Sequence, residues 1–412
     1  MQRRSGWDEP GQAQIFHTGG CLMKISCFKK MLSLSAIAVL LTGGVVPAHA
    51  FSYSIVKLDG PDGSAFTAKG INNRGQIVGA SVATDGSFYA TLLTVNGAMN
   101  LGTQGRLGSV ATGINDRGQV VGYSYMNHAR YEARAFLWSN GVMQDLENPG
   151  GEYARFTSSQ AVAINNRGQI VGDAINPNSG SDQVQAIFWA NGSAGSAQTL
   201  PDELSSKAYA VDNHGRAAGV LINNDSGVSH AAFWNNGVVQ RLEVLPPVKW
   251  DTLSSALDIN DRGQVVGLIS GHLGPTLWTD GVAQDLGTLA GAAGGVNGYG
   301  GARSFYLNNP GQLAGYSMSA DGSNHATLWS GGNIYDLTTL INNVDGWTDL
   351  KVGGLNNMGQ IIGNGLFNGQ EEAFLLNPED NHPVPEPSTI FLLASGMAAL
   401  FVLRFRNRAF RS

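Results

Sequence analysis

The chain has two cysteines, Cys21 and Cys27, and both lie before residue 51, so no disulfide framework can hold the remainder together. Charge is scarce as well: 14% of the 412 residues are charged, against roughly 25% in an average soluble protein. Long surface helices usually carry Glu, Lys and Arg and exclude Gly, so few charges beside 56 glycines disfavour a helix-rich enzyme. No Gly-x-Ser-x-Gly elbow, no His-Glu-x-x-His pair and no cysteine-based metal site occurs, which removes the commonest hydrolase and zinc signatures. What the chain does have is 42% hydrophobic residues, enough to bury a core.

Charge is also unevenly placed. Residues 51–385 hold 16 Lys and Arg against 28 Asp and Glu, an acidic middle of about −12 between two basic ends. That acidity argues against non-specific nucleic-acid binding.

The two ends read as processing signals. From Met23, Lys24, Lys29 and Lys30 precede an apolar run from Met31 to about Leu41 and then Ala48-His49-Ala50. A basic segment, a short apolar run and a small-x-small site make a secretory signal peptide cleaved before Phe51, with Met23 as the expected true start. At the other end, Val384-Pro385-Glu386-Pro387 is followed by the apolar run Ile390–Leu403 and by Arg404, Arg406, Arg408 and Arg411. This closely resembles the PEP-CTERM sorting signal. The resemblance implies processing by an exosortase at the Pro-Glu-Pro motif in a Gram-negative bacterium that makes exopolysaccharide, with a transient membrane anchor through 390–403 and a cytoplasmic tail at 404–412. The apolar run of 14 residues is short against the roughly 20 that span a bilayer, although flanking residues and snorkelling arginines extend it. The arginines fit the positive-inside rule, which leaves the middle on the far side of the membrane.

Between residues 51 and 378 one phrase recurs: GINNRGQIVGAS from Gly70, GINDRGQVVGYS from Gly113, AINNRGQIVGDA from Ala163, AVDNHGRAAGVL from Ala210, DINDRGQVVGLI from Asp258, YLNNPGQLAGYS from Tyr306 and GLNNMGQIIGNG from Gly354. The glycines that anchor it are Gly75, Gly118, Gly168, Gly215, Gly263, Gly311 and Gly359, spaced 43 to 50 residues apart. Seven copies at such a period mark a repeat architecture. Asn tolerates left-handed backbone and Gly supplies positive φ, so Asn-Asn-x-Gly predicts a tight hairpin with a bulge. A second phrase ends in Trp138, Trp189, Trp234, Trp278 and Trp329, with Leu93 and Leu376 in the Trp slot of the first and last copies. A third strand-like phrase ends at Leu101, Leu146, Leu200, Leu242, Leu286 and Leu337.

Each copy thus holds about four short strands, the size of a propeller blade. The last copy lacks its final strand, and Tyr53–Gly60 supplies one at the start of the chain. The expected fold is therefore all-β, seven four-stranded repeats forming a seven-bladed β-propeller closed by the N-terminal strand, with an open β-repeat array as the alternative. These phrases resemble the extracellular HAF repeats, named for a His-Ala-Phe motif; here the His stands at His230 and His325. That resemblance implies secretion and no established activity. The residue organisation is then 1–50 as extension and signal peptide, 51–378 as repeats, and 379–389 as a linker.

Catalysis needs unlike residues converging, whereas a repeat displays like residues around a ring, so a non-enzymatic protein is expected. The remaining histidines, His128, His214, His272 and His382, share no ligand spacing. Read as calcium loops, the Asn-Asp-x-Gly-Gln turns offer at most one carboxylate each, such as Asp116 or Asp261, against the several that calcium takes; no metal and no cofactor is expected. The recurring tryptophans suit packing between blades. Residues outside the repeat frame, Trp250, Trp347, Tyr299 and Arg303, are the candidate ligand contacts. The leading expectation is a surface-sorted structural or adhesive protein linked to exopolysaccharide or biofilm. The alternatives are a lectin-like propeller and a polysaccharide-cleaving one, the last needing a carboxylate pair about 5 to 9.5 Å apart.

Overall fold

A computed structural model describes residues 52–126, 132–148, 158–176, 183–190, 193–196, 205–223, 225–246, 252–272, 274–290, 305–320 and 323–379. The chain divides into Met1–Ala50 and Phe51–Ser412, and every described residue lies in the second unit.

Its architecture is a seven-bladed β-propeller. Six blades are four-stranded antiparallel meanders of consecutive strands. Blade 1 shows the pattern, with Phe66–Ile71, Ile77–Val82, Phe88–Thr94 and Gly97–Asn100. Blade 7 takes Trp347–Leu355, Ile361–Phe367 and Gln370–Pro378 from the end of the repeats and its fourth strand, Tyr53–Leu58, from the beginning. That strand pairs antiparallel with the third along its whole length, Tyr53 opposite Pro378 and Leu58 opposite Ala373. The two-residue strand Ile341–Asn342 then covers its outer edge in parallel. The ring is closed by strands whose paired residues are 315 to 325 positions apart, and the displaced final strand of the sequence pattern is accounted for.

The core is distributed over the blade interfaces. Val78, Ala90 and Leu92 of blade 1 pack on Ala111, Ile114, Val120 and Phe136 of blade 2. Equivalent clusters join every neighbouring pair, including Ile362 and Ala373 of blade 7 with Phe66, Ala68, Ile77 and Leu93 of blade 1. Among the described residues, all seven clusters lie within residues 53–376. Trp189, Trp234 and Trp278 are each 1% exposed. Their indoles also stitch backwards to the preceding blade: Trp189 Nε1 donates to the Glu147 carbonyl at 2.7 Å and Trp278 Nε1 to that of Glu243 at 2.6 Å. The repeated leucine after the fourth strand extends the ladder by one bond, Leu146 N to Ala135 O and Leu242 N to Ala231 O, and places its side chain in the next interface.

The second recurring glycine answers to close approach rather than to positive φ. A bulge in the first strand, at Ala161/Ala163 in blade 3, pushes a carbonyl toward the second strand. A Cβ on Gly172 would stand 2.0 Å from the Gln160 oxygen, and one on Gly219 would stand 2.0 Å from that of Lys207. No side chain fits there, so six of the seven blades, through Gly79, Gly122, Gly172, Gly219, Gly267 and Gly363, spend a glycine to hold the bulge.

Candidate functional site

In a four-stranded meander the turns between strands 1 and 2 and between strands 3 and 4 lie at one end, here the turn face. The loops between strands 2 and 3 and between blades lie at the other, here the connection face. The seven Asn-Asn-x-Gly turns join each innermost strand to the second, so they gather on the turn face around the axis, where their first two residues line a cavity of about 170 Å³. Their anchor glycines have φ between 72° and 93°, the left-handed conformation that the turn needs.

The first turn residue works in two directions. Asn72 Oδ1 accepts from the backbone N–H groups of Arg74 and Gln76, both at 3.0 Å, while Nδ2 donates to Gln76 Oε1 at 2.7 Å and across the interface to the Asn115 carbonyl at 2.9 Å. Two acceptor and two donor positions are thereby filled, the whole capacity of an amide. Asn115, Asn165, Asn260, Asn308 and Asn356 repeat the crossing bond to the next blade, and that of Asn356 reaches Asn72 O, closing the circle.

Blade 4 differs in chemistry and keeps a crossing bond. Asp212 has no amide to donate, and Arg216 stands where the other copies have Gln. Arg216 Nε donates to Asp212 Oδ2 at 2.6 Å, and its Nη2 crosses to the next blade at 3.0 Å, onto the Asp261 carbonyl, one residue beyond the acceptor used by the other six blades. The guanidinium supplies the donor that the carboxylate lacks, and the buried charge is paired.

A second ring runs through the next residue. The backbone N–H of Asn73 donates to Asp116 Oδ1, Asp116 to Asn166, Asn166 to Asn213, Asn213 to Asp261, Asp261 to Asn309, Asn309 to Asn357 and Asn357 back to Asn73, all at 2.7 or 2.8 Å. Asp116 Oδ2 also receives the amides of Asn73 and Asn166, and Asp261 Oδ2 those of Asn213 and Asn309. Burial works against the Asp261 carboxylate, yet N–H donors from Asn213 and Asn309 and the nearby His214 outweigh it and hold the carboxyl below its ordinary range.

Asp212, His214 and Asp261 bring three ligand atoms within 4.8 Å of one another at this mouth. The two carboxylates are already committed, one to a guanidinium and the other to three N–H donors, so the donor set does not suit a cation. The ligand oxygens of Asp212 and Asp261 lie within 4.8 Å of each other, closer than the roughly 5 to 9.5 Å separation of a glycoside-cleaving pair, and both carboxylates are taken up by bonds within and between the turns.

Trp347, expected as a ligand contact, is a core residue. It is 8% exposed and its ring packs against Phe367 at 5.0 Å and Phe374 at 5.7 Å, because it begins the first strand of blade 7 rather than standing in a loop. Trp250, Tyr299 and Arg303, the cleavage residues Ala48 and Ala50, and the motif Val384-Pro385-Glu386-Pro387 lie outside the described residues. Of the histidines, His325 pairs with Asp336 at 2.6 Å, His272 reaches the Leu245 carbonyl, and His214 is exposed at a turn tip.

The axial rings were not anticipated from the turn motif alone. The signal for them lies within the repeats: the one copy with Asp instead of Asn at the first turn position, Asp212, also changes Gln to Arg four residues on, at Arg216. A paired change implies a contact, and the structure shows it.

A PEP-CTERM protein-sorting motif matches residues 383–408, the mark of an exported, sorted protein. A family described as "Protein of unknown function (DUF3466)" matches residues 85–240. No curated protein matches the chain. Among solved structures, a puromycin hydrolase S511A mutant complexed with PGG is 11% identical with a TM-score of 0.51, over 78% of this chain and 55% of that one. A Mycobacterium tuberculosis puromycin-hydrolyzing peptidase is 12% identical at 0.50, over 79% and 54%. Virginiamycin B lyase from Staphylococcus aureus is 10% identical at 0.48, over 79% and 99%. At such identities the likeness is one of fold: the described residues form a seven-bladed propeller, and the chain carries a PEP-CTERM motif.

Proposed function

We propose that this is a non-enzymatic propeller with a structural or adhesive role at the cell surface. An exosortase-type enzyme processes it at Pro385-Glu386-Pro387, and it works in exopolysaccharide or biofilm. The observation that carries the reading is the state of the axial cavity. Catalysis needs unlike groups that converge and keep free valences. Here the cavity is lined by the same three-residue segment from each of seven blades, one aliphatic residue and two Asn or Asp side chains whose polar atoms bind the blades to one another. The same reading takes the repeats as HAF-type, residues 1–50 as a removed export signal, and 390–403 as a membrane segment present until processing.

The test uses the processed form, residues 51–385, with exopolysaccharide isolated from the source organism. The reading expects retention on the polymer and no release of reducing ends. Polymer cleavage abolished by Asp212→Asn or Asp261→Asn would contradict it, and retention competed by a single free monosaccharide would favour the lectin-like alternative.

A further inference from the structure

The third residue of each axial turn has no part in the hydrogen-bonded rings, and it is not random. It is Arg74, Arg117, Arg167, His214 and Arg262 on five consecutive blades, then Pro310 and Met358. All seven are exposed. Residues 51–378 contain eleven arginines, and four of them occupy these seven tips. Among the described residues none of the four guanidinium groups has a carboxylate within ion-pair distance, although the chain around them is acidic. Because the second turn residues are bonded to one another at 2.7 or 2.8 Å, the tips are held side by side in an arc around the mouth. Three carboxylates lie just beneath: Asp116 and Asp261 are capped by amides and Asp212 is paired with Arg216.

Two further features share this face. The outer turns between strands 3 and 4 and the fourth-strand starts that follow them carry exposed valines: Val95 at 99% in a turn, and Val142 at 54%, Val238 at 64% and Val282 at 66% at the strand starts. Met358, at 65%, adds an apolar tip beside the arginine arc. The chain also leaves from here. The third strand of blade 7 runs toward the turn face and ends at Pro378, and Glu379 N bonds to Ser52 O beside it. Residues 380–389 then separate this exit from the apolar run at Ile390, a reach of roughly 35 Å at full extension. The connection face carries exposed Val82, Phe88, Leu107 and Met126 too, but among Asp59, Asp62, Asp85, Glu147, Asp225 and Glu243, whereas the turn face adds Asp280 and Glu379 to the three carboxylates beneath the arc.

We infer that the turn face is a docking surface for an anionic phospholipid bilayer, with the arginine arc on lipid phosphates and the valine and methionine tips in the headgroup region. The inference rests on the reading of 390–403 as a membrane segment, which fixes the face that looks toward the bilayer. Cations ringed by apolar tips suit a lipid surface, where phosphate and acyl boundary lie side by side. An acidic polysaccharide would engage the arginines and leave the valines unused.

The processed form, residues 51–385, is tested by co-sedimentation with vesicles of phosphatidylglycerol and phosphatidylcholine, with pure phosphatidylcholine vesicles, and with alginate beads. The expected result is binding to the anionic vesicles at least about tenfold tighter than to neutral ones, falling with added salt. R74Q/R117Q/R167Q/R262Q, changed only at exposed tips, should lose binding on the order of 100-fold. Val95→Ser with Val238→Ser should weaken it several-fold, while Asp85→Asn with Asp225→Asn on the opposite face leaves it no weaker. The inference is overturned by equal binding to both vesicle types, by no binding, by binding that is insensitive to salt, or by retention on alginate alone. A parallel salt wash of membranes carrying the full chain separates the two claims. Release of the full chain defeats the membrane-segment reading, whereas a retained full chain beside a non-binding processed form defeats only the docking.

Discussion

The two faces of the propeller are built from the same repeats and obey different rules. On the turn face every blade contributes the same four-residue turn, and the seven are bonded into two closed circles. On the connection face the segments between strands vary in length and charge, and their side-chain pairing is particular to each blade and forms no closed circle. The bidentate contact of Arg106 with Asp145, at 2.8 and 2.5 Å, is an example. Uniformity thus goes with shared hydrogen bonding: a turn whose side chain completes its neighbour's turn cannot change alone, whereas a loop whose side chains complete no neighbouring turn can.

The sharpest way to break the comparison is to make one chemical change on both faces. Arg216→Gln on the turn face leaves the fully buried Asp212 carboxylate without its cation and opens the circle at one blade. The expected loss is about 3–5 kcal/mol by chemical denaturation. Asp212→Asn with Arg216→Gln restores the arrangement of the other six blades, so most of that loss should return; a double variant as unstable as the single would show that the crossing bond is not what matters. Next in size, Asn165→Ala removes two intra-turn acceptor bonds and the crossing bond to Asp212 O, with an expected cost of about 2–3 kcal/mol.

Asp173, in the second strand of blade 3, belongs to neither face and adds a pH test. Burial pushes its carboxyl up to about 6, against the pull of Lys207. A carboxyl whose folded pKa lies above its unfolded value of about 3.9 makes the folded state hold the proton more tightly, so stability falls as pH rises from about 4 to 6 and the penalty persists above. Asp173→Asn should therefore stabilise the protein at pH 7.5 by on the order of 1–3 kcal/mol and flatten that slope, as thermal melts across pH would report. Smallest of all, Arg106→Gln on the connection face should cost under about 1 kcal/mol and vanish in high salt, because the pair is solvated.

The fold was largely legible in the sequence because a repeat writes its own register. Seven anchor glycines located the turns, the missing fourth strand after Gln370–Pro378 located the closure at Tyr53–Leu58, and the Trp slots located the interfaces. The site was less so. Trp347 looked like a loop residue because it stands well ahead of its turn, but the first strand of blade 7 is nine residues long and takes it into the core. Four of the seven repeat phrases carry an arginine at the tip and a fifth carries His214. A polar turn residue is ordinary singly, and only the closed ring sets these five cationic or titratable tips side by side.

Amide hydrogen exchange tests the difference between the faces most directly. The second residues of the axial turns, Asn73, Asp116, Asn166, Asn213, Asp261, Asn309 and Asn357, sit in turns, where amides are usually open to solvent. Each donates instead to the next blade. All seven should exchange as slowly as the central strands and release together on global unfolding, while connection-face turn amides such as Ser87 and Ser226 exchange early. Rapid, independent exchange at the seven positions would contradict a turn face held as a single ring.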